Sequence, residues 1–257
     1  MRAGAIGKEV VRMPVWSSVH HKAFSDSEAL ARHTAEWLIG IAASRSRVLS
    51  LCLSGGSTPR RLYELLAARP YRDAFPWSRA HWFWSDERFV AHDDASSNYG
   101  MASRAMLSHA PVPSANIHSI PTTGVTAEAA ADAYERELKA FYGSDHLDET
   151  RPLFDVVLLG LGEDGHTASL FPGSAAIDEK MRWATTAEGP NLKPRITLTY
   201  PVLESARDTA FLITGTEKRT ALNQLLHGDS SLPAGRLRPV GNVWLFADAA
   251  AAGGIVL

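Results

Sequence analysis

Residues 154–173, FDVVLLGLGEDGHTASLFPG, limit the folds open to this chain more than any other stretch. From Val156 to Leu159 every side chain is apolar, and the first two are β-branched. A strand with no polar alternation is buried on both faces, as happens in parallel sheets covered by helices on either side. Strand-like and helix-like segments alternate through the rest of the chain, the pattern of an α/β fold with a mostly parallel sheet flanked by helices. Further strands are expected over residues 48–53, 81–84, 196–199, 210–214 and 243–246. Helices are expected over 25–43, 59–68, 98–107, 126–142 and 217–226. The first would be capped by Asp26 or Ser27 and apolar at Leu30, Trp37, Leu38 and Ile41; the fourth would be apolar at Ala130, Tyr134, Leu138 and Phe141. No linker or internal repeat calls for a second domain.

The strand ends at Gly160-Leu161-Gly162, and the loop after it presents Glu163, Asp164 and His166. Open α/β sheets bind ligands beyond the carboxyl ends of their strands, so this turn is a candidate catalytic loop. Its spelling also satisfies G-x-G-x-x-G through Gly160, Gly162 and Gly165, with Asp178 near the spacing of a ribose-binding acid. Three features oppose a dinucleotide site. Glu163 and Asp164 would face the pyrophosphate, Pro172-Gly173 interrupts the helix that should follow, and the motif lies beyond the chain's midpoint.

A second loop, Ser54-Gly55-Gly56-Ser57-Thr58-Pro59, joins a buried strand to a helix. Its glycines allow a sharp turn with free N–H groups, Ser57 and Thr58 add hydroxyls, and the helix start adds the positive end of a dipole. That set binds phosphate. A nucleophile elbow centred on Ser57 would need glycine where Pro59 stands. The third loop, Asp86-Glu87-Arg88, follows the aromatic strand with Trp82 and Trp84. Two acids and an arginine usually make a solvated turn; at a strand's carboxyl end, Arg88 becomes a candidate for phosphate or a substrate oxygen, and Asp86 for orienting it or for sugar hydroxyls. Asn98 is a helix-start or ligand candidate, and Arg195 and Lys218 are cations able to complete an anion site. His20, His21, His109 and His118 show no ligand spacing, and no H-E-x-x-H or Cys-His array is present, so no metal is expected.

With 257 residues and a net charge of −2, the chain carries no global basic field, which argues against a nucleic-acid partner. The single cysteine, Cys52, lies in an apolar run; it excludes an internal disulfide, reads as a core thiol and fits a cytoplasmic location. No run of about eighteen apolar residues suggests a membrane span. Residues 1–8 read as a disordered tail without a signal-peptide apolar region. The sequence sets no oligomeric state.

The loops SGGSTP (54–59), WSDERFV (84–90), SNYG (97–100), GLGEDGHTASLFPG (160–173), RITLT (195–199) and LPAGRLRP (232–239), in this order, resemble the 6-phosphogluconolactonase family. The likeness runs from about residue 24 to 257 as a single domain and leaves residues 1–23 poorly matched. It implies a Rossmann-like α/β fold shared with sugar-phosphate isomerases and deaminases, holding no nucleotide or other cofactor. The implied reaction is hydrolysis of 6-phospho-D-glucono-1,5-lactone to 6-phospho-D-gluconate, in the oxidative pentose phosphate pathway. The family pattern makes His166 the general base; Asp164, two residues earlier on the same turn, is placed to hold its tautomer. The resemblance implies that Gly55, Gly56 and Ser57 hold the 6-phosphate with Arg195 and Lys218, and leaves Arg88 for the phosphate or for developing oxyanion charge. Thr58, Asp86 and Asn98 stand as substrate-binding candidates on the residues alone. Gly235 departs from the serine common in relatives, and residues 191–194 from a more proline-rich approach to the arginine. An amino-sugar-phosphate isomerase or deaminase would want a carboxylate after the histidine, and residues 167–172 hold none. A non-catalytic sugar-phosphate binder would be expected to lack the base.

Overall fold

The computed structural model describes residues 19–189 and 193–254; the tail expected at residues 1–8 and the departure at Asn191 and Leu192 lie outside them. In chain order the elements are β1 (His20–Phe24), α1 (Ser27–Ser44), β2 (Leu49–Leu53), α2 (Ser57–Ala67), α3 (Tyr71–Ala74), β3 (Ala80–Trp84), β4 (Asp86–Arg88), α4 (Asn98–Ala102), α5 (Ala127–Tyr142), β5 (Phe154–Leu159), β6 (Ala184–Glu188), β7 (Pro194–Leu198), α6 (Tyr200–Glu204), β8 (Ala206–Ile213), α7 (Arg219–Leu226), α8 (Pro233–Arg236), β9 (Asn242–Asp248) and α9 (Ala249–Ala252). The main sheet has six strands in the order β1-β9-β8-β5-β2-β3, every pair parallel. All six residues of β5 and all five of β2 are buried, the polar Asp155 and Ser50 near their amino ends included, and the apolar stretches that follow in each strand suit a sheet covered on both faces.

Strand order decides where a ligand fits. The chain passes from β2 to β3 on one side of β2, and then places β5 on the other side. The order therefore reverses between β2 and β5, and a crevice opens above their carboxyl ends. A second sheet, antiparallel in the order β4-β7-β6, closes over that end. Ser85 joins the two: its N–H donates to Leu53 O (2.8 Å), and its own carbonyl accepts from Leu198 N (2.8 Å).

This second sheet corrects the sequence reading in two places. Residues 86–88, expected as a loop, form a strand, and the strand expected at 196–199 pairs antiparallel outside the main sheet. β1 (HHKAF) and β6 (ATTAE) were not anticipated. Both are edge strands, where polar side chains are tolerated and the apolar signal is weak.

The two longest helices, α1 and α5, follow their capping signals. Asp26 caps α1 by accepting from Ala29 N (2.8 Å), and α1 buries Leu30, Ala31, Thr34, Ala35, Leu38 and Ala42, with Trp37 and Ile41 only partly buried beside them. Thr126 caps α5, which buries Ala130, Tyr134 and Leu138 as expected, though Tyr142 rather than Phe141 completes the buried face. Trp82, Phe83 and Trp84 of β3 and Phe154 of β5 lie in the same continuous core, each such side chain contributing about 1.5–3 kcal/mol of burial. Cys52 is fully buried there, as expected. Among the described residues no helix is long and apolar enough to cross a membrane.

Candidate active site

A crevice of about 350 Å³ lies above the ends of β2, β5 and β8, in the size range of small-molecule sites. Four segments bring the expected residues to it. Gly55, Gly56, Ser57 and Thr58 come from the β2–α2 loop, and His166 from the loop after β5. Asp86, Arg88, Asn98 and Arg195 come from β4, α4 and β7, and Lys218 from the turn after β8. Asp164 does not line the crevice; it stands behind His166. Glu163 is exposed outside it.

The β5 loop is a closed turn. Gly162 N donates to His166 O (2.8 Å), Gly165 N donates to Gly162 O (3.0 Å), and Gly165 sits at φ +75°. No α-helix opens at Gly165, which removes the support a pyrophosphate would need there. Asp164 Oδ1 accepts from His166 N (3.1 Å) and lies 2.5 Å from His166 Nδ1. The pair presses on Gly162, where a Cβ would fall 2.1 Å from Nδ1 and 2.6 Å from Oδ1. Partial burial pushes the Asp164 carboxyl up, but the hydrogen bonds from His166 more than offset this and leave it below its ordinary 3.8. An ionised Asp164 only accepts, so Nδ1 carries the hydrogen, and in the neutral tautomer the lone pair is on Nε2. The imidazole packs on Phe171 (centroids 4.5 Å apart), and the Arg195 guanidinium lies over the same ring at 5.4 Å.

On the β2 side, α2 begins at Ser57, two residues earlier than expected, and no side chain caps it. Its first-turn N–H groups are therefore left for an outside acceptor. Thr58 Oγ1 meets Thr214 Oγ1 at 2.6 Å, tying the helix start to the end of β8. Tyr63 holds the preceding residue, accepting from Ser54 N (3.2 Å) and donating to Ser54 O (2.9 Å).

The pleat of β4 sorts its three side chains. Asp86 and Arg88 line the crevice, and Glu87 points the other way. Arg88 lies opposite Arg195 in the β4–β7 register. Like charges so placed destabilise a sheet, and a bound anion would reverse the sign. Asp86 is the local counter-charge: it accepts from Ser169 Oγ (2.6 Å) and stands 3.8 Å from Arg195 Nη1. Burial lowers the Arg195 pKa, Asp86 opposes the shift and Arg88 adds to it. Among the described residues, Ser54 Oγ and the Nε atoms of Arg88 and Arg195 are buried without a protein hydrogen-bond partner.

Several lining residues escaped the sequence reading: Ser54 as a side chain, Thr167, Ala168, Thr214 and Glu217. Ala168 has φ 48°, uncommon for a residue with a Cβ. Thr214 and Glu217 were within reach of the rule already applied to β2 and β5, since they follow the carboxyl end of β8 and flank Gly215.

The model of the family described as glucosamine-6-phosphate isomerases/6-phosphogluconolactonase matches residues 25–245. A 6-phosphogluconolactonase of Synechocystis sp. is 41% identical over 202 residues, covering 76% of this chain and 80% of that protein. A probable 6-phosphogluconolactonase 2 of Arabidopsis thaliana is 40% identical over 232 residues, covering 87% and 89%. The solved structure of a 6-phosphogluconolactonase from Trypanosoma cruzi superposes with a TM-score of 0.80 at 30% identity, covering 93% of this chain and 97% of that one. The chain therefore belongs to the family of glucosamine-6-phosphate isomerases and 6-phosphogluconolactonases, and within it to the 6-phosphogluconolactonases.

Proposed function

We infer that the chain is a hydrolase that opens 6-phospho-D-glucono-1,5-lactone to 6-phospho-D-gluconate, with His166 activating the water. One observation carries the role of His166: its Nδ1 is held by Asp164 at 2.5 Å, while the ring itself lines a cavity walled by Arg88, Arg195, Lys218 and the uncapped start of α2. Nε2 takes a proton from water as the oxygen attacks C1, and the C1 carbonyl becomes an oxyanion facing the cations. Asp164 stabilises the imidazolium formed in that step. On collapse the bond from C1 to the ring oxygen breaks, and the imidazolium returns its proton to that oxygen. The new carboxylic acid then ionises in solvent, so each turnover releases one proton. An ester of this reactivity needs neither a metal nor a covalent nucleophile.

The 6-phosphate is held by Gly55, Gly56, Ser57 and Thr58 together with Arg195 and Lys218, and Arg88 adds charge to the same wall. Asp86 and Asn98 face the sugar hydroxyls. Residues 24–257 act as one domain, an assignment supported by the continuous core beneath both sheets. A cytoplasmic location fits the lone buried thiol of Cys52.

The test is hydrolysis of freshly generated lactone at mildly acidic pH, followed by proton release. The native protein should outrun buffer, and His166→Ala should lose about 10²–10⁴ in turnover while keeping its affinity for 6-phosphogluconate. Native rates equal to buffer would refute the hydrolase. Equal losses of turnover and affinity in the variant would refute the general base.

A further inference from the structure

Glu87 does not line the crevice, and only 1% of it is exposed. A carboxylate so placed needs donors, and it has four. Oε1 accepts from Arg88 N (2.8 Å) and Asn98 N (2.7 Å); Oε2 accepts from Tyr99 N (2.7 Å) and Ser97 Oγ (3.0 Å). These donors come from two separate segments, β4 and the start of α4. Each segment carries a side chain of the crevice wall, Arg88 from one and Asn98 from the other.

Asn98 extends the connection. Its Nδ2 donates to Asp86 O (2.9 Å), and its Oδ1 packs so tightly on Gly55 that a Cβ there would fall 1.8 Å away. An unbroken run of contacts thus leads from the Glu87 carboxylate through Asn98 to the β2–α2 loop. The His166–Asp164 turn makes no hydrogen bond to any member of this run.

We propose that Glu87 is a positioning residue for the substrate's anionic group: it clamps β4 to α4, setting Arg88 and Asn98 in the wall and, through Asn98, the Gly55 loop. It touches no substrate, so its effect falls on binding and leaves the chemistry at His166 nearly intact. A carboxylate that only stabilised α4 would change the melting temperature and leave affinity untouched.

The inference rests on the sugar-phosphate reading above, so its test includes a readout that needs no turnover. Glu87→Gln puts an amide donor where an N–H or hydroxyl now finds an acceptor. In the full chain, the Kd for 6-phosphogluconate and for inorganic phosphate by calorimetry, and the KM for fresh lactone, should each rise by about tenfold or more, with kcat within about threefold. Ser97→Ala, which removes one donor of the four and with it the α4 cap that accepts from Gly100 N (2.9 Å), should raise Kd by about threefold. A native Kd in Glu87→Gln, or a loss confined to kcat, would overturn the proposal. Should Glu87→Gln fail to fold, Ser97→Ala decides: weakened phosphate binding supports positioning, and native binding overturns it. A native protein that binds phosphate without opening the lactone would sink the hydrolase reading alone, and the Kd comparison would still judge Glu87. Absence of phosphate and 6-phosphogluconate binding by the native protein would overturn the role of Glu87, with lactone opening still the judge of the hydrolase.

Discussion

Asp164 and His166 are two positions apart on a turn whose middle residue, Gly165, has φ +75°, and the backbone there folds back far enough for the two side chains to meet. Their value lies in direction. With the carboxylate on Nδ1, the basic nitrogen is the one left for water. Asp164→Asn tests this, because an amide can donate to Nδ1 and leave the hydrogen on Nε2. Turnover should fall by about 10²–10⁴, as expected when an imidazole is held in the wrong tautomer. Affinity for 6-phosphogluconate should stay unchanged. The same pair predicts a pH signature. The folded-state carboxyl lies below 3.8, so its stabilisation is present above that value and is lost as pH falls through the lower, folded one. The Asp164 side chain is 51% exposed, which screens the pair and holds the contribution to below about 1 kcal/mol. Melting curves should show a small native advantage over Asp164→Asn at about pH 6 that vanishes below about pH 3. An advantage that grew on acidification would contradict the assignment.

Among the elements, α2 and the loop before it do most to shape the anion end. Gly56, the N-cap, has φ +112°, and Gly55 gives up its side-chain space to Asn98. Gly55→Ala should force Asn98 aside and pull the first-turn N–H groups out of line. The expected result is a KM raised by about tenfold or more with kcat little changed; unchanged KM would place the phosphate elsewhere. The β2 and β5 loops were legible in the sequence because their signals are local: an apolar run, then glycines, then polar groups at a strand end. The β4–β7 pairing was not, because residues 86–88 meet residues 195–197 only through long-range register. Asp86 and Arg88 were nonetheless named from the sequence and Glu87 was given no role; the pleat of the strand supplies the reason, since it sends Glu87 away from its neighbours. The polar edges of β1 and β6 were invisible for a related reason, since each needs one bonded neighbour and little apolar surface of its own.

Across the whole molecule the two ends of the main sheet carry different work. The carboxyl ends of β2, β5 and β8 hold the crevice; their amino ends hold an ionic network around Asp155, which is 3% exposed. Asp155 Oδ1 is bound by Arg45 and by Arg47 Nη2 (3.0 Å), with Arg207 Nε at 3.5 Å, and Oδ2 accepts from Ser50 N (3.0 Å). Arg45 continues to Asp208 (3.2 Å), whose Oδ1 accepts from Asn242 Nδ2 and Trp244 Nε1, each at 3.0 Å. The network therefore stitches the starts of β2, β5, β8 and β9 together. Removing the shared carboxylate leaves arginines and a strand N–H without their acceptor, a loss of about 3 kcal/mol for a buried pair of this kind. Asp155→Ala should thus lower Tm by roughly 6–12 °C in a chain of this size. Because the crevice lies at the opposite end of the same strands, kcat and KM measured well below the new Tm should match the native values. A variant that kept its Tm would show the network to be neutral. One that lost activity while still folded would show that order at the amino ends reaches the His166 and Gly55 loops through β5 and β2.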